Sequence, residues 1–265
     1  MFFIFHLTYS YANNINNLRI VTLAPNLTEI VFALGLEKNL VGNTILCDYP
    51  LEAKNVYKIG NFNNPSIERI IALKANVVLA TEGNPDDKLK ILSKNNIKVI
   101  KIQPEVASDI PLMIKKISFE LGVEQKGKVL AEKIMFALLK IKQKQISENR
   151  KFLFILQFDP MYTVSEETWL GSIFKLAGMR NLIGESQVKY PKISNEFLLK
   201  NIPDIIFLGQ LEGKNEKESL KYYQKKIDAI YGKIKHNIKI IVVPKDILVR
   251  PGPRLIDGIQ FVESV

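Results

Sequence analysis

Apolar residues in this chain fall into two patterns, short continuous runs and longer stretches where they recur every three or four positions. The short runs lie at residues 18–23, 40–44, 76–80 and 98–102. They are too brief for helices, and Pro25-Asn26 breaks the first, which predicts buried strands. Helical spacing between them, at 28–34 (closed by Gly35), 66–73 and 86–95, predicts helices. Strands alternating with helices predict parallel βαβ units.

The middle of the chain follows a different rule. Residues 107–148 contain no strand-like run, and 124–148 lack Pro, and Gly beyond Gly127. Val129, Leu130, Ile134, Ala137, Leu138 and Ile141 recur at helical spacing, with Lys126, Lys133, Lys140 and Lys144 among the polar positions, which predicts one long amphipathic helix. The alternation then restarts, with strands at 151–158, 204–209 and 238–243 and helices at 172–177, 216–231 and from Arg254. The predicted fold is α/β: two lobes, each with a central, mostly parallel sheet flanked by helices, joined by a single long α-helix. The expected divisions are an N-terminal lobe at 18–105, a helical segment with the linking helix at 106–149, and a C-terminal lobe at 150–265. A ligand would be expected between the lobes, at the carboxyl ends of the strands.

Composition changes this picture only at the edges. Of 265 residues, 47% are hydrophobic and 24% charged, as in an ordinary folded protein. The net charge of +10 raises the question of nucleic acid, but the lysines are spread along the chain among Asp and Glu, without an arginine–aromatic stripe. Nucleic-acid binding is therefore not expected. Residues 1–12 read MFFIFHLTYSYA, an apolar stretch ending in a small-x-small pattern at Ser10 and Ala12. That pattern predicts an export signal peptide whose start lies upstream, and with it a soluble periplasmic product. Cys47 is the only cysteine, so no internal disulfide can form; it reads as a small buried residue rather than a nucleophile.

The search for catalytic chemistry returns negatives. There is no G-x-G-x-x-G, no phosphate-cradling loop, no G-x-S-x-G and no H-E-x-x-H. Only His6 and His236 are present, too few for a histidine-rich site holding bare zinc or manganese. This favours binding over catalysis.

Four segments carry a family resemblance: RIVTLAPNLTE at 19–29, CDYP at 47–50, PSIERIIALK at 65–74 and RPGPR at 250–254. In this order they resemble the helical-backbone class of periplasmic substrate-binding proteins of ABC importers, which serve cobalamin, iron-siderophore and haem uptake. The closest likeness is to the cobalamin-binding members. The resemblance implies a protein with no cofactor of its own and no enzymatic activity. It would be a monomer that delivers a metal chelate, cobalamin or a related corrinoid, to an ABC permease dimer in the inner membrane. A ferric-siderophore or haem binder of the same fold is the alternative. An enzyme of similar build is a third class, for which no catalytic constellation appears.

The same resemblance implies ligand-binding roles for Asn26, Tyr49 and Phe62 in the first lobe and Tyr162, Tyr190 and Arg250 in the second. Cobalamin-binding members carry tryptophan where this chain has Phe62 and Tyr190. Aromatic rings suit the apolar face of a macrocycle, and a guanidinium suits its amide or carboxylate groups. Any one ring is more often ordinary packing, and Arg250 and Arg254 could equally cap helices or pair with Asp257. Trp169, the single tryptophan, reads as core or rim packing. Glu68 and Glu196 each stand in the first turn of a helix, where capping and the helix dipole favour a carboxylate. The resemblance adds a second role for them, as the two glutamates that pair with arginines of the permease.

Overall fold

The computed structural model describes residues 15–144, 149–232, 238–244 and 246–265. The signal-peptide reading, His6 and His236 lie outside the described residues. The chain divides into two compact units, residues 1–101 with 115–128, and residues 102–114 with 129–265.

In the first unit, β1 (Ile20–Thr22), β2 (Leu40–Asn43), β5 (Val77–Ala80) and β6 (Lys98–Lys101) form a sheet in the order β2-β1-β5-β6, with every pairing parallel. Helices α1 (Pro25–Ala33), α2 (Ile67–Ala72) and α3 (Asp86–Lys94) connect the strands, and a short hairpin, β3 (Gly60–Asn61) with β4 (Asn64–Pro65), precedes α2. β1 and β5 are buried at every position, as a sheet covered on both faces requires. Val21, Val78, Ile59, Ile70, Leu89 and Leu92 pack together in its core. β6 is one of the two edge strands, and its lysines blunt it: Lys101 pairs with Asp86 and Lys98 with Glu120, each at 2.6 Å. α1 begins three residues earlier than the apolar spacing suggests. Pro25 supplies its first position, where a missing N–H is costless, so Asn26 stands in the first helical turn.

The middle segment folds as two helices, α4 (Asp109–Glu120) and α5 (Glu124–Lys144). α5 carries 21 residues, about 31 Å at 1.5 Å per residue. It begins in the first unit and ends in the second, as the amphipathic pattern predicts for a linking helix. α4 also contributes to both units.

The second unit is built on β7 (Lys151–Phe158). Beside it stand β10 (Ile205–Gly209) and β11 (Lys239–Val243) in the order β11-β10-β7, all parallel. β8 (Met161–Thr163) folds back antiparallel on the carboxyl end of β7, and β9 (Arg180–Asn181) pairs with its first two residues. On one face of the sheet Phe152, Phe154, Phe174 of α6 (Trp169–Leu176) and Phe207 pack with ring centroids 4.6–6.4 Å apart. On the other, Leu153, Ile155, Ile206 and Leu208 pack against α7 (Asn195–Lys200) and α8 (Glu216–Tyr231) through Leu198, Tyr223 and Ile227. The chain closes with α9 (Leu255–Glu263). Among the described residues no helix is long and apolar enough to cross a membrane.

Candidate ligand-binding site

In each unit the loops after the strand carboxyl ends carry the residues singled out from sequence. In the first unit, β1 runs into α1 through Leu23 and Ala24. The hydroxyls of Thr22 and Thr28 meet at 2.5 Å in the buried turn, fixing where Asn26 enters the helix. Asn26 itself is 6% exposed.

Phe62 sits at the tip of the β3–β4 hairpin, half-buried. Its ring lies over Gly83 in the loop after β5. A Cβ on Gly83 would stand 3.0 Å from the ring, and the residue has φ +86°, so both space and backbone favour glycine there. The neighbouring Asn84 is buried and ties three loops together. Its Oδ1 accepts from Thr81 N at 2.8 Å, and its Nδ2 donates to the Phe62 carbonyl at 3.0 Å and to the Leu23 carbonyl at 3.4 Å.

Tyr49 projects from the loop after β2 and is 46% exposed. Lys58 holds this loop from beneath: its ammonium donates to Asn43 Oδ1 at 2.7 Å and to the carbonyls of Ala53 and Cys47 at 3.0 and 3.2 Å. Burial pushes the Lys58 ammonium below its ordinary value, and the nearby Cys47 and Asp48 partly offset this. With its backbone so held, the segment exposes Ile45, Leu46 and Leu51, each more than half accessible, beside Tyr49. The Ile45 N–H donates to the Gly60 carbonyl at 3.1 Å, tying this loop to the Phe62 hairpin. Asn26, Tyr49 and Phe62 thus lie on three loops joined by hydrogen bonds. Cys47 is buried, with its sulfur 3.2 Å from the Thr44 hydroxyl.

In the second unit Tyr162 is the central residue of β8, and residues 189–193 run antiparallel beside it. Thr163 N donates to Pro191 O and Ile193 N to Met161 O, which sets Tyr162 opposite Lys192 and Tyr190 one diagonal step from Tyr162. Tyr190 is 44% exposed and Tyr162 half-buried. The ends of β7 and β10 are joined by Tyr223, which stacks on Phe158 at 5.7 Å and donates to the Gly209 carbonyl at 2.7 Å. Trp169 is buried, in keeping with a packing role.

Arg250 follows β11 and is largely buried. Its guanidinium pairs with Asp246 at 2.8 Å, the two side chains being only 12% and 15% exposed. Asp246 takes φ +69°, a left-handed conformation that Asp tolerates better than most residues. The sequence leaves Asp257 open as a partner of Arg250 or Arg254; Asp246 is an ion-pair partner of Arg250.

Glu68 and Glu196 occupy matching places. Each is the second residue of a six-residue helix whose N-cap is serine: Ser66 accepts from Arg69 N and Ser194 from Phe197 N, both at 3.2 Å. Both carboxylates are exposed. The helix-start N–H of Glu68 itself, then the Ser66 hydroxyl, hold the Glu68 carboxyl below the usual range. Glu196 pairs with Lys200 one turn on, at 2.8 Å.

Sequence reading missed Asn84, Lys58 and Asp246. The Asn84-Pro85 pair is a turn signal that marks Asn84 in hindsight; nothing local marks Lys58, whose partners come from two other segments. Among the described residues no group of three or more His, Cys, Asp or Glu side chains could hold a metal ion. The apolar and aromatic loop residues offer surface for a flat ligand instead.

Comparison with known proteins bears on the family and the fold. The family described as periplasmic binding protein matches residues 20–227. The vitamin B12-binding protein of Pectobacterium carotovorum subsp. carotovorum (strain PC1) is 27% identical over 250 residues, covering 93% of this chain and 87% of the relative. Among solved structures, the periplasmic vitamin B12 binding protein BtuF of Vibrio cholerae superposes with a TM-score of 0.75 at 26% identity, covering 93% of this chain and 95% of that one. A periplasmic haem binding protein from Pseudomonas aeruginosa shares the fold with a TM-score of 0.80 at 22% identity, over 93% and 91% of the two chains.

Proposed function

We infer the function from one premise: this chain belongs to the periplasmic binding protein family. It is the substrate-binding component of an ABC importer rather than an enzyme. We propose that its ligand is a cobalamin-type corrinoid, held by residues of the strand-end loops. The observation that carries this proposal is the near-full-length likeness, in sequence and in structure, to proteins that bind vitamin B12.

The chemistry of the loops supports it. A corrin ring needs flat apolar surface, which Phe62, Tyr49, Tyr162 and Tyr190 provide, together with the exposed Ile45 and Leu46. Its peripheral amides are uncharged and need hydrogen bonds rather than a free cation, and Arg250 already shares its charge with Asp246. Haem, with two carboxylates, would ask for an unneutralised guanidinium. Asn26 adds an amide beside the first-unit loops.

The partner we assign is a permease dimer, met by monomeric binding protein through Glu68 and Glu196. Their matching helix-start positions and full exposure support this role, and serine capping coexists with it.

Titration calorimetry of the purified protein against cobalamin, cobinamide, haemin and a set of ferric siderophores tests the ligand. Tight one-to-one binding of the two corrinoids is expected. Tight binding of haemin or a siderophore with no response to either corrinoid would overturn the assignment while leaving the family intact.

A further inference from the structure

The second unit holds a cavity of about 370 Å³ that none of the residues discussed as ligand-binding lines. It opens at the amino ends of β7 and β9, where Lys151 and Arg180 begin their strands and are direct neighbours in the parallel register. Tyr162 and Tyr190 belong to the opposite end of β7, roughly 23 Å away along a strand rising about 3.3 Å per residue. The cavity is therefore separate from the strand-end loops.

Its charge is unbalanced. Lys151, Arg180 and Lys200 line it against a single carboxylate, Glu166, which is already engaged by Lys175 at 2.8 Å. Among the described residues neither the Lys151 ammonium nor the Arg180 guanidinium has an ion-pair or hydrogen-bond partner. Two like charges on adjacent register positions repel each other; the nearby Asp204 carboxylate accepts from the Lys151 backbone N–H at 2.7 Å and forms no ion pair with the Lys151 ammonium or the Arg180 guanidinium among the described residues. Lys200 is held aside by Glu196. The rest of the wall (Asn181 and the backbone of residues 182–184) is neutral, and the Asn181 side chain is occupied by Val164 O and Ile183 N.

We propose that this cavity binds a phosphate-type oxyanion, gripped by the planar fork of Arg180 and the point charge of Lys151, with Lys200 as a third cation that Glu196 controls. A guanidinium matches two phosphate oxygens at once, and the adjacent ammonium supplies charge without demanding geometry. The same chemistry serves free phosphate or the headgroup of an anionic phospholipid. Glu196 is the residue assigned to the permease contact, so an arginine that takes its carboxylate would release Lys200 into the cavity. That coupling rests on the docking proposal; the anion site does not.

The test titrates the full chain with inorganic phosphate at low ionic strength, following backbone amide shifts of residues 182–184. In parallel, it is co-sedimented with phosphatidylcholine vesicles with and without phosphatidylglycerol. Saturable phosphate shifts, weakened at least tenfold in the Lys151→Gln/Arg180→Gln double variant and strengthened severalfold in Glu196→Gln, are expected. Phosphate binding without vesicle binding assigns the free anion. Phosphatidylglycerol-dependent sedimentation that the double variant abolishes assigns the headgroup. No saturable response to either probe, or a response that the double variant keeps unchanged, overturns the site. Corrinoid affinity measured in the same variants separates this outcome from failure of the ligand assignment, since neither Lys151 nor Arg180 lies at the strand carboxyl ends.

Discussion

The Asn84 side-chain amide donates to the Phe62 carbonyl at 3.0 Å while its oxygen accepts from Thr81 N, so one buried residue fixes the aromatic hairpin to the loop after β5. This makes Asn84 a positioning residue for Phe62. Asn84→Ala strands the Thr81 N–H in a buried turn, which should cost ~1–3 kcal/mol of stability. Phe62→Ala should leave the fold nearly unchanged and weaken corrinoid binding by ~1–2 kcal/mol through lost ring contact. Calorimetry and urea unfolding of both single variants and the double variant check this. Because Asn84 acts on the ligand through Phe62, the two losses of affinity should add to less than their sum. Full additivity would remove the positioning role.

Tyr231 presents a test independent of any ligand. Its hydroxyl is buried without a hydrogen-bond partner among the described residues, and burial pushes its pKa up to about 12 from 10.0. The folded state thus holds the proton more tightly than the unfolded chain. This contribution is complete below pH 10 and is lost as pH rises from 10 to about 12. Tyr231→Phe removes an unsatisfied buried oxygen and should stabilise the protein by about 1 kcal/mol near neutrality. It should also flatten the fall in melting temperature between pH 10 and 12. A variant less stable than the parent at pH 7 would show that the hydroxyl has a partner after all.

For the docking role, Glu68→Gln with Glu196→Gln keeps the serine caps and removes both charges. Stability should change by no more than a few tenths of a kcal/mol, since the Ser66 and Ser194 hydrogen bonds persist. Ligand affinity should hold, and uptake through the cognate permease should fall steeply at low salt, with the gap to wild type narrowing as salt screens the contacts that wild type makes. Uptake equal to wild type would make the two glutamates helix-start residues only.

The sheet architecture was legible because parallel strands buried on both faces leave continuous apolar runs; 151–158 was read without error. Elements dictated by pairing were not legible. β8 and β9 are three and two residues long and exist because β7 offers them an edge, which no local pattern announces. The start of α1 is hidden in the apolar spacing because proline also ends strands: Pro25 is the first residue of α1 rather than the end of the loop before it. For the candidate site, sequence motifs supplied the rings and Arg250 but not what holds them. Asn84 and Lys58 reach partners up to 61 and 15 residues distant, which the fold brings together, whereas the Asp246–Arg250 pair spans only four residues and follows from the turn after β11.

The ion pair between Arg250 and Asp246 yields the last prediction, which concerns specificity. Both side chains are largely shielded from water, so their interaction is worth more than a surface pair, and removing one partner leaves the other's charge uncompensated. Asp246→Asn keeps the shape and removes the carboxylate that pairs with Arg250. With Arg250 in the proposed ligand contact, one negative charge fewer beside it matters little to the neutral amides of cobalamin and favours the carboxylates of haemin. Haemin affinity should therefore rise about tenfold or more in Asp246→Asn, about 1.4 kcal/mol, with cobalamin changed by less than threefold. Arg250→Ala should abolish the haemin gain in the double variant and lower stability on its own by leaving Asp246 buried and unpaired. Competition binding with the two ligands on all three variants reads the outcome. Equal changes for both ligands would mean that the pair braces the turn after β11 and takes no part in choosing what binds.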